Sequence, residues 1–154
     1  MGRTPRLIVA GCVIASLLGA CGSDGSAKPD PNKILTKSQY IERADAICKS
    51  YGERIRGVYN SAGGGLNFVQ SKKILSDKLI PLFRAELLDL IALKPPKADK
   101  VRLNDKFLLN LSQGINTVIA RVGAAKTMRD LDAINPPGLQ RAKQAALAYG
   151  IKQC

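Results

Sequence analysis

Apolar residues recur at spacings of three and four along four stretches of the chain, whereas the strict alternation typical of strands is nearly absent. A repeat of this kind predicts α-helices that bury one face. The stretches are residues 36–60, 68–93, 99–126 and 137–149, and a short helical turn is predicted at residues 127–134. Short breaks join them, so we predict an all-α fold, an up-and-down four-helix bundle.

The apolar positions of each stretch fall on one stripe. In the second stretch the stripe comprises Leu75, Leu79, Leu82, Phe83, Leu87, Leu90 and Ile91. Cys48 lies on the stripe of the first stretch and Tyr149 on that of the last, so both are expected to face the core. Pro81 falls inside the second stretch, where the helix is expected either to kink or to break into residues 68–79 and 81–93.

Local signals mark where the helices begin and end. Thr36 and Gln39 have the spacing of a capping box at the start of the first helix. The three glycines at residues 63–65 end that helix, and the Lys-Pro-Pro sequence at residues 94–96 ends the second. Gly150 has the position of the left-handed residue that closes a Schellman end after the last helix.

The N-terminal segment has the order of a bacterial lipoprotein signal. Arg3 and Arg6 form a basic start, an uncharged run follows from Leu7 to Ala20, and the lipobox-like tetrapeptide Leu-Gly-Ala-Cys ends at Cys21. The run is shorter than the about 20 apolar residues of a membrane-spanning helix and has the length of a signal h-region. We therefore predict cleavage before Cys21 and lipidation of its thiol.

Two other outcomes stay open for this segment. Ordinary cleavage would release a soluble protein with Cys21 as a free thiol, and an uncleaved segment would remain as an N-terminal anchor. The next residues are rich in Gly, Ser, Pro and Asp and lack an apolar pattern, which predicts a flexible tether. The expected organisation is a signal peptide at residues 1–20, a lipidated linker at 21–35 and a helical bundle domain at 36–154.

Cys48 and Cys154 are the cysteines that remain once Cys12 is removed with the signal and Cys21 is lipidated. In an exported protein, one remaining pair is expected to form a disulfide. It would close a loop of roughly 100 residues, for which the chain-entropy model gives about 4.7 kcal/mol. The alternatives are a redox pair, although the two do not form a Cys-x-x-Cys motif, and a metal site, although no histidine accompanies the two thiols.

The chain is strongly basic, with 24 Lys and Arg residues against 12 Asp and Glu residues. A net charge of +12 attracts polyanions such as lipid head groups or wall polymers, although scattered lysines also serve solubility alone. The densest basic spots are Lys72 with Lys73, and the group of Lys94, Lys97 and Lys100. Neither spot interleaves aromatic residues, as a nucleic-acid stacking surface would, so we expect no nucleic-acid partner.

No constellation in the sequence predicts a catalytic residue, a cofactor site or a metal site. Histidine is absent, which excludes the common triads and imidazole chemistry. Five carboxylates are expected to be solvated or paired with Lys and Arg rather than to act as acid–base or metal groups: Glu42, Asp45, Glu53, Asp130 and Asp132.

The other polar candidates are also expected to be structural. Three serines have no base to activate them: Ser61, Ser71 and Ser76. Residues 63–65 lack the Lys-Ser/Thr ending of a P-loop and are expected to be a linker. Three tyrosines are expected to pack between helices: Tyr40, Tyr51 and Tyr149.

Three short motifs resemble small secreted lipoproteins that are common in actinobacteria. They are Ala-Asp-Ala-Ile-Cys at residues 44–48, Leu-Lys-Pro-Pro at 93–96 and Ala-Tyr-Gly-Ile-Lys-Gln-Cys at 148–154. The resemblance covers residues 37–154 together with the lipobox. It implies an exported location, a helical fold and a Cys48–Cys154 bond, and it implies no activity.

Together these features predict a non-enzymatic, lipid-anchored protein on the outer face of the bacterial cytoplasmic membrane, an interaction module with a basic surface. Its expected partners are the membrane, through Cys21, and anionic envelope polymers or an envelope protein. The alternative is a lipoprotein that binds a small apolar ligand or a lipid between its helices.

Overall fold

The computed structural model describes residues 33–154, so the predicted signal peptide and the lipidation site at Cys21 lie outside the described residues. Every regular element within the described range is helical, which confirms the all-α prediction. The helices are α1 Lys37–Ala62, α2 Phe68–Ile74, α3 Ile80–Ala92, α4 Lys100–Leu103, α5 Leu109–Ala124, α6 Met128–Asp132 and α7 Pro137–Tyr149.

Widened π-helical turns join some of these helices into longer ones. The turn Leu75–Leu79 connects α2 to α3, and Asn104–Leu108 connects α4 to α5. A 3₁₀ turn at Lys97–Asp99 precedes α4. The long helical stretches of the described chain therefore number four, as predicted, and α6 is the predicted short turn. They pack as a helical bundle in which α5 contacts α7 and α1 contacts α3.

Pro81 is accommodated by the first π turn. The N–H of Ile80 donates to the carbonyl of Leu75, five residues back, and Pro81 occupies the first turn of α3. A proline inside a regular helix removes one hydrogen bond and crowds the carbonyl four residues before it. Because the turn is widened, the backbone stays helical from α2 into α3, instead of breaking into two separated pieces.

The predicted helix ends are present. The Thr36 side chain accepts a hydrogen bond from the Gln39 N–H at 3.3 Å, and the Gln39 side chain accepts one from the Thr36 N–H at 3.1 Å. At the other end of the domain, Gly150 has a φ of 111°. The N–H of Ile151 bonds to the carbonyl of Ala146 at 2.9 Å, which completes the Schellman end.

The core consists of two clusters. The larger cluster joins α1, α3, α4, the second π turn and α7 around Leu35, Tyr40, Cys48, Phe107, Tyr149 and Ile151, among others. The smaller cluster lies between α3, α5 and α6 and contains Ile80, Val118, Val122, Ala125 and Leu131. Most stripe residues lie in or against these clusters, so the helical period predicts the buried faces correctly.

Two assignments need correction. The apolar stripe of the second helix predicts that Ile91 is buried, but its side chain is 53% exposed, and the neighbouring Leu90 takes the core position at this end of α3. Leu35 falls in the predicted flexible linker of residues 21–35, yet its side chain is buried. Its N–H donates to the carbonyl of Lys94 at 2.9 Å, so the domain begins before residue 36.

Helices α5 and α7 approach each other closely because two glycines face each other. A Cβ on Gly138 would lie 2.7 Å from the carbonyl oxygen of Asn110 and from the backbone nitrogen of Gly114. A Cβ on Gly114 would lie 2.7 Å from the backbone nitrogen of Leu139. Any larger side chain at either position would have to push the two helices apart.

The predicted Cys48–Cys154 disulfide is present and joins α1 to the end of the chain, with the two Cα atoms 5.1 Å apart. Beside it, one carboxylate oxygen of Asp45 accepts hydrogen bonds from the backbone N–H groups of Lys152 and Gln153, both at 2.7 Å. We call these five residues the tail clamp. The clamp fixes the last residues of the chain against α1.

Candidate interaction surface

A groove of about 860 Å³ opens beside the start of the described chain. After α3 ends, Leu93 takes an extended conformation, and Pro95 and Pro96 keep the chain extended up to the 3₁₀ turn. This extended segment is tied to Leu35 by the Leu35–Lys94 backbone hydrogen bond. The groove lies between the segment, α3, the second π turn and α5.

Five apolar side chains line the groove, and we call them its floor: Ile34, Ile91, Leu93, Leu108 and Leu109. Ile34, Ile91 and Leu109 are 48%, 53% and 51% exposed, respectively. Single exposed apolar side chains are common on proteins, but several that converge in one depression mark an interaction site.

Three basic side chains also line the groove, and we call them its rim: Lys94, Lys97 and Lys100. None of the acidic residues in the described range lines it. Asp99 is close in sequence, but its carboxylate accepts a hydrogen bond from the Tyr149 hydroxyl at 2.8 Å. Burial, together with this bond, raises the pKa of Tyr149. We call this apolar depression with three lysines the lysine-rimmed groove.

The lysines of the other basic spot, Lys72 and Lys73, contact other groups of this chain. The ammonium group of Lys72 donates to the carbonyls of Gly123 and Ala125, at 3.1 and 2.8 Å, at the C-terminal end of α5. Such carbonyls lack partners within their own helix and attract cations. Lys73 pairs with Asp77 at 2.6 Å on the helix surface. Neither lysine belongs to an apolar depression of the groove's kind.

Two carboxylates that we expected to be solvated or paired with cations bind backbone amides instead. Asp45 belongs to the tail clamp. Asp130 accepts hydrogen bonds from the N–H groups of Lys126 and Thr127, both at 2.8 Å, and these bonds lower its pKa. Glu42, Glu53 and Asp132 are exposed and have no hydrogen bond or ion pair within residues 33–154. The structure therefore gives these five residues structural or surface positions.

The three tyrosines pack between helices, as predicted. The rings of Tyr40 and Tyr149 meet edge to face with their centroids 5.9 Å apart, and Tyr51 donates its hydroxyl to Asp89 at 2.7 Å. This bond raises the pKa of Tyr51. The Tyr40 hydroxyl is buried without a partner among the described residues, and burial raises the pKa of Tyr40 to about 12.

The remaining polar candidates do not come together. Ser61 and Ser76 are exposed on different helices, and Ser71 lines an apolar cavity. Residues 63–65 form the predicted linker between α1 and α2, in which Gly63 and Gly65 have positive φ angles of 71° and 74°.

Two further cavities lie between helices. One, of about 350 Å³, is lined mostly by apolar side chains from α1, α2, the first π turn, α3, α5, α6 and α7. The other, of about 270 Å³, contains Glu86 and Cys154. Phe83 and Leu139 line both cavities. Desolvation raises the pKa of Glu86 to about 7, since no polar partner compensates its partial burial.

Among residues 33–154, no three His, Cys, Asp or Glu side chains converge as a metal site would require. In the same range, no helix combines the length and the apolar character needed to cross a bilayer. No protein-family model matches the chain, and no curated protein or solved structure proves similar to it. The chemistry of the described surface is therefore the basis for a functional proposal.

Sequence reasoning identified the lysines of the groove but not its floor. The stripe of the second helix predicts a buried Ile91, and no local pattern marks Ile34 or Leu109. These side chains become neighbours of the lysines only through the fold.

Proposed function

We propose that this chain is a non-enzymatic, lipid-anchored protein of the bacterial cell envelope, held at the outer face of the cytoplasmic membrane through Cys21. In this proposal an up-and-down four-helix bundle follows the signal peptide and tether, and its lysine-rimmed groove contacts an anionic lipid surface. The observation that supports the proposal most strongly is the combination of an exposed apolar floor with a lysine rim.

The lysine rim and the apolar floor both favour a position at the boundary between lipid and water. A lysine near an anionic bilayer contributes about 1 kcal/mol of attraction. Apolar side chains at the same level are stabilised when they leave water for the acyl boundary. A soluble polyanion would be attracted by the lysines but would leave Ile34, Ile91 and Leu109 exposed. The composition of the groove therefore favours a lipid surface over wall polymers.

The position of the groove is also compatible with the anchor. Ile34 lines the groove, and the chain from Cys21 to Ile34 would span at most about 45 Å when fully extended. A groove tethered so close to a bilayer meets it at high effective concentration, so weak contacts suffice. Contact would then orient the domain on the membrane rather than attach it.

Vesicle sedimentation of the chain from residue 21, carrying Cys21→Ser, tests the groove without the anchor. We expect salt-dependent binding to phosphatidylglycerol vesicles and little binding to phosphatidylcholine vesicles. Replacing Lys97 and Lys100 by Gln should weaken binding by about 30-fold, since each lysine contributes about 1 kcal/mol. Leu109→Ser should weaken it as well, because the floor also takes part.

The matched control replaces Lys49 and Lys143 by Gln, which lowers the net charge equally at exposed positions away from the groove. If this control loses as much affinity as the groove variant, binding is a property of total charge and the proposed site is wrong. Binding to isolated wall polymer with no binding to anionic vesicles would also contradict the lipid contact.

A second candidate function is the binding of an apolar ligand between helices. The cavity of about 350 Å³ favours it, since ligand pockets are typically about 300–1,000 Å³ and mostly apolar. Extraction without detergent, followed by lipid analysis of the purified protein, tests this function. A stoichiometric co-purifying lipid would support it, whereas a protein free of lipid would contradict it.

A further inference from the structure

A second depression, distinct from the lysine-rimmed groove, lies between the second π turn and α7. Its volume is about 390 Å³. Three cationic side chains line it, namely Arg102, Lys106 and Arg141, and no acidic residue of the described range does. Cationic side chains that line one depression make its potential positive and attract anions. We call this depression the arginine pocket.

One of the two guanidinium groups is held in place by a hydrogen-bond relay. The Nε–H of Arg141 donates to the side-chain oxygen of Asn110 at 2.8 Å. The side-chain nitrogen of Asn110 in turn donates to the carbonyl of Lys106 at 3.0 Å and to that of Asp105 at 3.4 Å. These bonds fix which end of the amide faces Arg141. The bond from Arg141 uses its Nε–H and leaves the terminal N–H groups of its guanidinium available.

The other guanidinium lies over an aromatic ring. The central carbon of Arg102 is 6.0 Å from the ring centroid of Tyr149. That ring is itself held by the hydrogen bond from its hydroxyl to Asp99. The hydrogen bond of Arg141 positions its guanidinium before any ligand arrives, so less conformational freedom of that side chain is lost on binding.

From this geometry we propose that the arginine pocket binds a phosphate group, carried either by a soluble compound or by a lipid head group. Phosphate matches the fork of an arginine, which offers parallel N–H donors. The acidic groups nearby do not fill the pocket: Asp99 is engaged by Tyr149, and Asp105 is exposed on the π turn.

The site does not rest on the proposed membrane contact. Arg102, Lys106 and Asn110 follow one another at intervals of four, whereas the groove uses Lys100, Asn104 and Leu108 on another side of the same helical stretch. Variants of the pocket and variants of the groove can therefore succeed or fail independently.

Titration of the lipidated full chain in uncharged detergent micelles with inorganic phosphate, followed by amide chemical shifts, tests the proposal. Chloride at the same ionic strength is the reference. We expect saturable shifts at Arg102, Lys106 and Arg141 with phosphate only. Arg141→Gln and Lys106→Gln should each weaken the apparent affinity by about tenfold or more, because each removes a charge-assisted hydrogen bond.

Asn110→Ala separates the positioning of Arg141 from its charge. It keeps all three cations, so a weakening by several-fold would support the relay. Arg141→Lys should restore only part of the affinity, since a point charge replaces the fork. Lys143→Gln, which lies on the same helix outside the pocket, is the matched control and should bind as the unmodified protein does.

The source of the phosphate is distinguished by two further probes. Preference for glycerol 3-phosphate, a monoester, would assign the pocket to a soluble phosphorylated compound. Preference for glycerophosphoglycerol, a diester, would assign it to a lipid head group. Equal shifts with phosphate and chloride, or an unchanged affinity in the folded Arg141→Gln and Lys106→Gln variants, would overturn the proposal.

Discussion

The carboxylate of the tail clamp and two lysines of the lysine-rimmed groove differ in whether they find partners within residues 33–154. In the clamp, the carboxylate of Asp45 is satisfied by two backbone N–H groups and the thiols are joined in a disulfide. In the groove, Lys97 and Lys100 have no hydrogen bond or ion pair within residues 33–154, and apolar side chains remain exposed beside them. The clamp is a closed set of contacts, whereas the groove is an open one.

The two basic spots of the sequence differ from each other in the same way. Lys72 and Lys73 are as dense as the groove lysines in sequence, yet their ammonium groups contact carbonyls and a carboxylate of this chain. Net charge alone therefore does not identify a binding surface. What identifies the groove is the charge of Lys97 and Lys100, which no other group of residues 33–154 pairs with, next to apolar area that the fold leaves exposed.

Breaking the disulfide is expected to have the largest effect on stability. Cys48→Ser and Cys154→Ser should each lower the free energy of unfolding by about 2–5 kcal/mol, because each releases the same long loop. The double variant should add little to either single one. Thermal unfolding of the three variants checks this, and additive losses would show that the two cysteines act independently.

Glu86 extends the comparison. It is an ionisable group that lines a cavity together with Cys154 of the tail clamp, and it lacks a polar partner. Its pKa in the folded protein, about 7, lies above the ordinary value of 4.5. The folded state thus favours the neutral acid, and the associated stability is present below pH 4.5 and is lost as the pH rises through about 7. Relative to Glu86→Gln, the unmodified protein should lose roughly 3 kcal/mol over this range.

Urea denaturation of both proteins at pH 4.5 and pH 8 measures this effect. We expect similar midpoints at pH 4.5 and a higher midpoint for the Gln variant at pH 8. A constant difference between the two proteins across this range would contradict the assigned burial of the carboxyl group.

Removing the Asp45 carboxylate is expected to have an intermediate effect. Asp45→Ala leaves the N–H groups of Lys152 and Gln153 without their acceptor and should destabilise the domain by about 1–3 kcal/mol. Glu42→Ala, on the same helix and with the same change in charge, is the control and should alter stability by less than about 0.5 kcal/mol. Chemical denaturation compares the two, and equal losses would contradict the clamp.

The smallest expected effect compares one lysine from each basic spot. Lys72→Gln should lower stability by about 0.3–1 kcal/mol, because it weakens the contact with the C-terminal carbonyls of α5. Lys97→Gln should leave stability unchanged and weaken vesicle binding. Stability and vesicle binding are measured for both variants. A Lys97 variant that loses as much stability as the Lys72 variant would contradict the difference between the two basic spots.

Much of the fold follows from local patterns in the sequence. The helical stretches, the capping box at Thr36 and the end at Gly150 depend on residues a few positions apart, and all are present. The disulfide follows from counting the cysteines of a chain that is predicted to be exported. The widened turn before Pro81 keeps the helix continuous, so the predicted break does not occur, because a helix can absorb a proline by changing its hydrogen-bond register.

Features that depend on distant residues were not predictable in this way. The close approach of Gly114 and Gly138 requires knowing that α5 faces α7. Asp45 binds residues at the far end of the chain, which no local spacing indicates. The groove likewise combines Ile34 with residues of α3 and α5. The lysines are evident in the sequence, but the sequence does not show that exposed apolar side chains lie beside them.

The most direct test of the proposed function measures lysine acetylation rates in the lipidated protein, reconstituted in anionic or zwitterionic vesicles. Lys97 and Lys100 of the groove are compared with Lys152, the exposed lysine of the tail clamp. We predict that the two groove lysines react several-fold more slowly in anionic vesicles only, and that high salt removes the protection. Equal rates for Lys97, Lys100 and Lys152 in both kinds of vesicle would contradict the proposed lipid contact.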